Sequence, residues 1–133
     1  GGLRITAGSG IGGVATSGRH GRSFSLGIAD AVTVLARDAA TADAAATLIA
    51  NAVDCGSPAV RRAPAATLDP DSDLGERLVT VDVGALGEAE RDQALEAGLV
   101  RAEAFRSTGR IIGAALRLGG AVRVAGVTPL PPP

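Results

Sequence analysis

Two oxygen-bearing side chains, Asp43 and Thr47, lie four residues apart in an Ala-rich stretch of the sequence. Residues at this spacing share one face of an α-helix, so the carboxylate and the hydroxyl would lie one above the other. Mg²⁺ and similar hard cations take oxygen ligands of this kind. The spacing is therefore compatible with a metal site at Asp43 and Thr47. A solvent-facing Asp and a Thr bonded back to the helix backbone would give the same pattern.

A second group of polar residues lies in the glycine-rich segment that begins GSGIGGVATSG at residues 8–18. Its Gly-x-Gly-x-x-Gly spacing is that of a dinucleotide-binding loop, but such a loop must open into a helix. The β-branched and glycine residues that follow disfavour a helix here, so we expect no Rossmann loop. Exposed amides and hydroxyls can instead hold an anion or a ribityl chain. A bulged strand whose glycines only allow close packing is the alternative. The candidate substrate-binding residues are Thr16, Ser17, Gly18, Ser23 and Ser25.

Composition excludes several classes of protein. The 133 residues suit one domain, and Cys55 is the only cysteine, which rules out an internal disulfide. Two Phe residues, no Trp or Tyr, and a net charge of -1 predict no nucleic-acid partner. No apolar run reaches the ~18 residues of a membrane span, and no signal segment is evident, so we predict no membrane association and a cytoplasmic location.

Hydrophobic periodicity predicts the elements that position these residues. Alternating or β-branched runs predict strands, an Ala-rich and an amphipathic segment predict helices, and Gly119-Gly120 predicts a hairpin turn. The fold class is therefore α+β, a mixed or antiparallel sheet with two main helices and a C-terminal hairpin. The predicted strands are Leu3–Thr6, Ser23–Leu26, Ala31–Ala36 and Leu78–Val83, the helices 39–53 and 88–107, the hairpin arms 110–118 and 121–127, and the long connection 54–75.

Several segments together carry a family resemblance. They are GVATSG at 13–18, ADAVTVLARDAATADAAATLIANAV at 29–53, GRSFSLGIADAVTV and LDPDSDLG, and they extend over nearly the whole chain. With them the sequence resembles the carboxyl-terminal half of the ApbE-like superfamily, and most closely its uncharacterised UPF branch. The resemblance implies an ApbE-like fold with T-fold-like layers. Residues 1–128 would form the carboxyl-terminal segment of one such domain, and 129–133 a Pro-rich tail.

The resemblance also implies cofactors. The superfamily includes the Mg²⁺-dependent FAD:protein FMN transferases, in which an Ala-Asp pair and a Thr four residues after the Asp supply metal ligands. Asp43 and Thr47 match those positions, so Mg²⁺ and FAD or FMN are the cofactors implied. The transferases carry a His-x-x-Asp-Pro segment before the Val-Thr-Val strand, and this chain has none. Its catalytic residues are therefore unassigned.

The sequence leaves the activity open. The leading interpretation is an ApbE-like protein, a transferase or hydrolase if it is an enzyme, that binds a divalent cation and a flavin or small anionic substrate. One alternative is a metal-assisted hydrolase of a small cyclic or amide substrate, with Ser25 and Asp30 as candidate polar groups. The other is a binding or assembly module without catalysis.

The amino end predicts a partner. The chain contains no Met and opens on Gly1-Gly2, which suggests a processed chain or one piece of a larger domain. The family's Gly-Gly-Asp segment and a further metal contact would precede Gly1. We therefore expect the chain to pack against an upstream fragment of the same domain, cleaved or separately encoded, and to form homo- or hetero-oligomers.

Overall fold

The computed structural model describes residues 10–18 and 25–126. The strand predicted over Leu3–Thr6, the candidate residue Ser23 and the Pro-rich tail lie outside these ranges. The described elements, in chain order, are β1 (Gly13–Ser17), β2 (Ala31–Ala36), α1 (Ala39–Ala52), β3 (Val60–Pro64), α2 (Ala65–Leu68), β4 (Leu78–Val83), α3 (Glu88–Ser107), β5 (Gly113–Leu118) and β6 (Ala121–Ala125).

The strands form two antiparallel sheets. The larger has four strands in the order β1-β2-β5-β6, and the smaller pairs β3 with β4. The β5–β6 hairpin turns through Gly119 and Gly120, both with positive φ, a conformation that glycine adopts without steric cost. This arrangement confirms the α+β class, the antiparallel sheet, the two main helices and the C-terminal hairpin. The T-fold-like layering stays a prediction.

The core lies between the larger sheet and the two long helices. Val32 and Val34 alternate with less buried residues on β2, and both are fully buried among side chains of α1 and α3 such as Ile49 and Leu95. Helix α1 begins where Asp38 accepts a 2.7 Å hydrogen bond from the backbone N–H of Thr41. This N-cap satisfies one of the free amides of the first turn, and the Ala-rich sequence then favours helix.

The structure corrects the chain path in two places. The predicted connection 54–75 contains β3 and the short helix α2. The predicted strand Ser23–Leu26 is not a strand in its described part, because Ser25 and Leu26 make isolated backbone hydrogen bonds rather than a ladder. The Leu26 N–H donates to the side chain of Asn51, and the Ser25 carbonyl accepts from the backbone of Thr80.

Candidate functional site

Asp43 and Thr47 both lie on the exposed side of α1, as their spacing predicts. The Thr47 hydroxyl donates a 3.2 Å hydrogen bond to the backbone carbonyl of Asp43, which leaves its lone pairs available as acceptors. No described group donates to the Asp43 carboxylate. In residues 10–18 and 25–126, no three His, Cys, Asp or Glu side chains come together as a metal-binding group. The pair therefore offers two oxygen ligands, and further ligands would have to come from water or from another segment.

The glycine-rich segment forms an edge strand rather than a phosphate loop. Its residues Gly13–Ser17 are β1, which pairs with β2 and leads into no helix. The glycines bring the backbone of this segment close to the residues that flank β2 at its two ends. A Cβ at Gly13 would lie 2.3 Å from the backbone carbonyl of Asp38, and one at Gly18 would lie 2.4 Å from that of Asp30. Close packing therefore explains these two glycines without a ligand.

The hydroxyls proposed to bind substrate are distributed over different surfaces. Thr16 and Ser17 are neighbours in a strand, so their side chains point to opposite faces of the sheet. The Thr16 hydroxyl lies 3.0 Å from that of Thr33, while the buried Ser25 hydroxyl donates to the Gly27 carbonyl at 3.3 Å. The described members of the set thus do not converge on one pocket.

Ser25 is also distant from the proposed metal ligands. Leu26, next to Ser25, is bound at 3.1 Å to the side chain of Asn51 in the last turn of α1. Asn51 lies eight residues beyond Asp43, about 12 Å along the helix axis at ~1.5 Å per residue. The structure therefore places Ser25 and Asp43 at different ends of α1.

An apolar groove runs along α1 beside Asp43 and Thr47. Its volume is about 420 Å³, and its lining residues are Ala40, Thr41, Ala44, Ala45, Leu48, Phe105 and Arg110. Ala44 follows Asp43 by one residue, and Leu48 follows Thr47 by one residue. The groove therefore lies about 100° around the helix from the Asp43 and Thr47 side chains. The Arg110 guanidinium carbon lies 5.9 Å from the centre of the Phe105 ring, within cation–π range. The groove thus combines an apolar floor with the positive charge of Arg110.

Sequence reasoning missed this groove. The spacing of Leu95, Leu99, Ala102 and Phe105 predicts a buried face of α3, and Phe105 is indeed 9% exposed. The remaining edge of its ring lines the groove, which periodicity cannot show. Arg110 follows the helix as an ordinary surface arginine, and no local motif marks it.

Comparison with known proteins decides the family. A family model described as "AbpE bacteria" matches residues 1–124. The chain belongs to this ApbE-related family. It is also similar to the UPF0280 protein of Methanopyrus kandleri, 42% identical over 98 residues, which cover 69% of this chain and 41% of the relative. The chain therefore spans about two fifths of that relative's length. No solved structure gives a significant match.

The membership confirms the resemblance to the ApbE-like superfamily and to a UPF branch. None of the helices in the described part of the chain has the length and apolar content that a bilayer crossing requires. Binding of a metal or a flavin is a separate question, because neither the family description nor the relative's name specifies a ligand.

Proposed function

We propose that this family member binds a divalent cation, Mg²⁺ in the first instance, through Asp43 and Thr47, and a flavin or other small anionic substrate in the adjacent groove. The observation that carries the proposal is the position of the solvent-facing Asp43 carboxylate, with the Thr47 hydroxyl one turn on, beside a groove that ends at Arg110. The candidates Thr16, Ser17, Gly18 and Ser25 stay predictions from the sequence, and none of them lines this groove.

The donor set suits Mg²⁺. A carboxylate and a hydroxyl are oxygen donors, and Mg²⁺ is usually held by one or two carboxylates with several waters retained. The exposure of both side chains leaves room for those waters. A cation bound there would neutralise charge on a phosphate or an enolate-like oxygen of a substrate.

The groove suits an amphipathic anion. Ligand sites commonly have volumes of roughly 300–1,000 Å³, apolar walls and a few polar groups that orient the ligand, and the groove of about 420 Å³ lies in that range. Leu48 and Phe105 offer an apolar surface to a flat ring system, and Arg110 offers a cation to an anionic group. These three contacts favour a molecule with an apolar body and a negative end.

Calorimetric titration tests the metal site. Mg²⁺ and then Mn²⁺ are titrated into the wild-type chain, Asp43→Asn, and the control Glu96→Gln, which removes an exposed carboxylate from α3 instead. We expect Asp43→Asn to weaken cation binding by about tenfold or more, a loss of ~1.4 kcal/mol, and Glu96→Gln to leave it unchanged. Equal binding by all three proteins would refute the site.

Flavin fluorescence tests the groove. FMN is titrated with and without Mg²⁺, and we expect saturable quenching that Arg110→Gln weakens. Quenching that is identical in wild type and Arg110→Gln would remove the groove from the proposal. Binding without turnover of any flavin or amide substrate would favour the non-catalytic module.

We infer further that a partner covers the outer face of α1. Leu48 is 44% exposed there, beside Ala40 and Ala44, so apolar surface faces solvent. The occupant we propose is an upstream fragment of the same ApbE-like domain, which would close the groove over its ligand and supply the cation ligands that Asp43 and Thr47 leave open.

A further inference from the structure

A second cleft, of about 250 Å³, opens between the β4–α3 connection and the β5–β6 turn. Its lining residues are Asp30, Val83, Gly84, Ala85, Leu86, Arg91, Leu118 and Gly119. It shares no residue with the groove on α1. A ligand of this cleft would therefore bind separately from the proposed cation and flavin.

Arg91 is the cationic group of this cleft. Its Nε atom is sealed from solvent and has no hydrogen-bond partner, and its Nη1 makes only a long, 3.4 Å contact with the Gly119 carbonyl. Among the described residues, no carboxylate pairs with this guanidinium. The neighbouring Asp92 is engaged elsewhere, because it accepts a 2.9 Å hydrogen bond from Arg123. Buried polar atoms rarely lack partners. The sealed Nε is out of reach of a ligand, so the donors available to an acceptor in the cleft are the terminal Nη1 and Nη2 groups.

The Gly119 turn leaves room for the side chain of Arg91. A Cβ at Gly119 would lie 3.2 Å from the Arg91 Cδ, so the absence of a side chain there gives the arginine stem its room. Gly119 in turn is fixed by Asp30, whose Oδ2 accepts a 2.9 Å hydrogen bond from the Gly119 N–H. Arg91 also lies in the first turns of α3, where the positive end of the helix dipole adds to its charge.

The other walls restrict the chemistry of the ligand. A guanidinium presents a planar fork that matches a carboxylate or a phosphate. Phosphate has no apolar part to pack against the rest of this cleft, whereas a carboxylate with a short aliphatic body does. Val83, Leu86 and Leu118 add aliphatic walls. A cleft of about 250 Å³ suits a small molecule.

We propose that this cleft is a binding site for a small monocarboxylate with a short aliphatic body, held by Arg91 between the β4–α3 connection and the Gly119 turn. The carboxylate oxygens accept hydrogen bonds from the guanidinium, and the aliphatic body packs against Leu86 and Leu118. The proposal does not depend on the cation site, so the failure of one leaves the other standing.

Amide chemical-shift titration of the full ¹⁵N-labelled chain tests the site, with sodium butyrate as the probe and sodium phosphate as the comparison at constant ionic strength. We expect saturable shifts at the Gly84 and Gly119 amides with butyrate and weaker binding of phosphate. Arg91→Gln should bind butyrate about tenfold more weakly or worse. The control Arg77→Gln removes an exposed arginine outside the cleft and should bind as wild type does.

Two results would overturn the proposal. One is the absence of saturable shifts around the cleft in the wild-type chain, a result that no folding defect of a variant can produce. The other is butyrate binding of equal strength in wild type and Arg91→Gln. Phosphate binding as tight as butyrate would overturn the assignment to monocarboxylates. If the spectrum of Arg91→Gln shows that this variant is unfolded, Arg91→Lys is used in its place. Lysine keeps the positive charge but lacks the planar fork of arginine, so Arg91→Lys should also bind butyrate more weakly than wild type.

Discussion

The hydroxyl of Thr80, on β4, donates a 2.6 Å hydrogen bond to the carbonyl of Gly27, 53 residues earlier in the chain. The same residue's backbone N–H donates at 2.8 Å to the carbonyl of Ser25. Arg62 on β3 donates at 2.5 Å to the carbonyl of Leu26 and pairs through its other terminal nitrogen with Asp54. The small sheet therefore holds the chain just where the glycine-rich segment ends.

Replacing Thr80 by Val removes that hydroxyl at almost constant volume. Since the bond is partly buried, we expect a loss of about 1–2 kcal/mol in the free energy of unfolding, measured by urea denaturation. Thr16→Val is the matched control. The hydrogen bond between the Thr16 and Thr33 hydroxyls is exposed, so water can replace it and the free energy of unfolding should change little. Equal stability of wild type and Thr80→Val would show that the bond does not hold the segment.

Local patterns predicted the long helices and the strands β2, β5 and β6 of the larger sheet, whereas β1 was only the alternative interpretation of the glycine-rich segment. Helix α3 occupies the predicted residues 88–107, because its apolar spacing, the acidic residues of its first turn and its polar outer face all favour helix. Strand β3 was not predicted, because Arg61 and Arg62 interrupt the apolar alternation and Pro64 suggests a turn. Its stability comes from the pairing with β4, a contact between distant segments.

The candidate site was predictable only where it depends on one helix. The i, i+4 geometry of Asp43 and Thr47 follows from helix periodicity and is observed. The groove and the Arg91 cleft each join residues from elements far apart in sequence. Phe105 meets α1, and Arg91 meets Gly119, through tertiary packing that no local spacing encodes.

Gly98 offers a test of the packing between the two helices. In an exposed helix, Gly→Ala stabilises by about 1 kcal/mol. Here a Cβ would lie 2.3 Å from Val53 Cγ2 and 2.7 Å from Leu116 Cδ2, both on fully buried side chains. We therefore expect Gly98→Ala to destabilise the protein by about 1–3 kcal/mol in urea denaturation. In a Val53→Ala background the same change should cost less, because the clashing methyl group is gone. A gain in stability from Gly98→Ala alone would show that the helices do not approach this closely.

Asp38 predicts a pH dependence. The hydrogen bond from the Thr41 backbone, followed by that from the Thr41 hydroxyl, lowers the pKa of Asp38 below its ordinary value of 3.8. The ionised cap therefore stabilises the fold above that value, and the contribution is lost as the pH falls through the lower, folded-state pKa. Asp38→Asn keeps an N-cap side chain without a charge. The stability difference between wild type and Asp38→Asn, measured by thermal unfolding from pH 6 to pH 3, should shift in favour of the variant at the acid end. Parallel curves over that range would contradict the lowered pKa.

Substitution of Leu48 tests whether the outer face of α1 serves association rather than the stability of the core. Because its side chain is 44% exposed, Leu48→Glu should change the free energy of unfolding by only about 0.5 kcal/mol, whereas Leu95→Ala, at a fully buried position, should cost about 2–5 kcal/mol. Without the proposed partner, the uncovered apolar face should drive the wild-type chain to associate with itself. Sedimentation velocity should then show concentration-dependent association for wild type and a 13.0 kDa monomer for Leu48→Glu. A wild-type chain that stays monomeric over the same concentrations would argue that this face needs no cover, and so against the proposed partner.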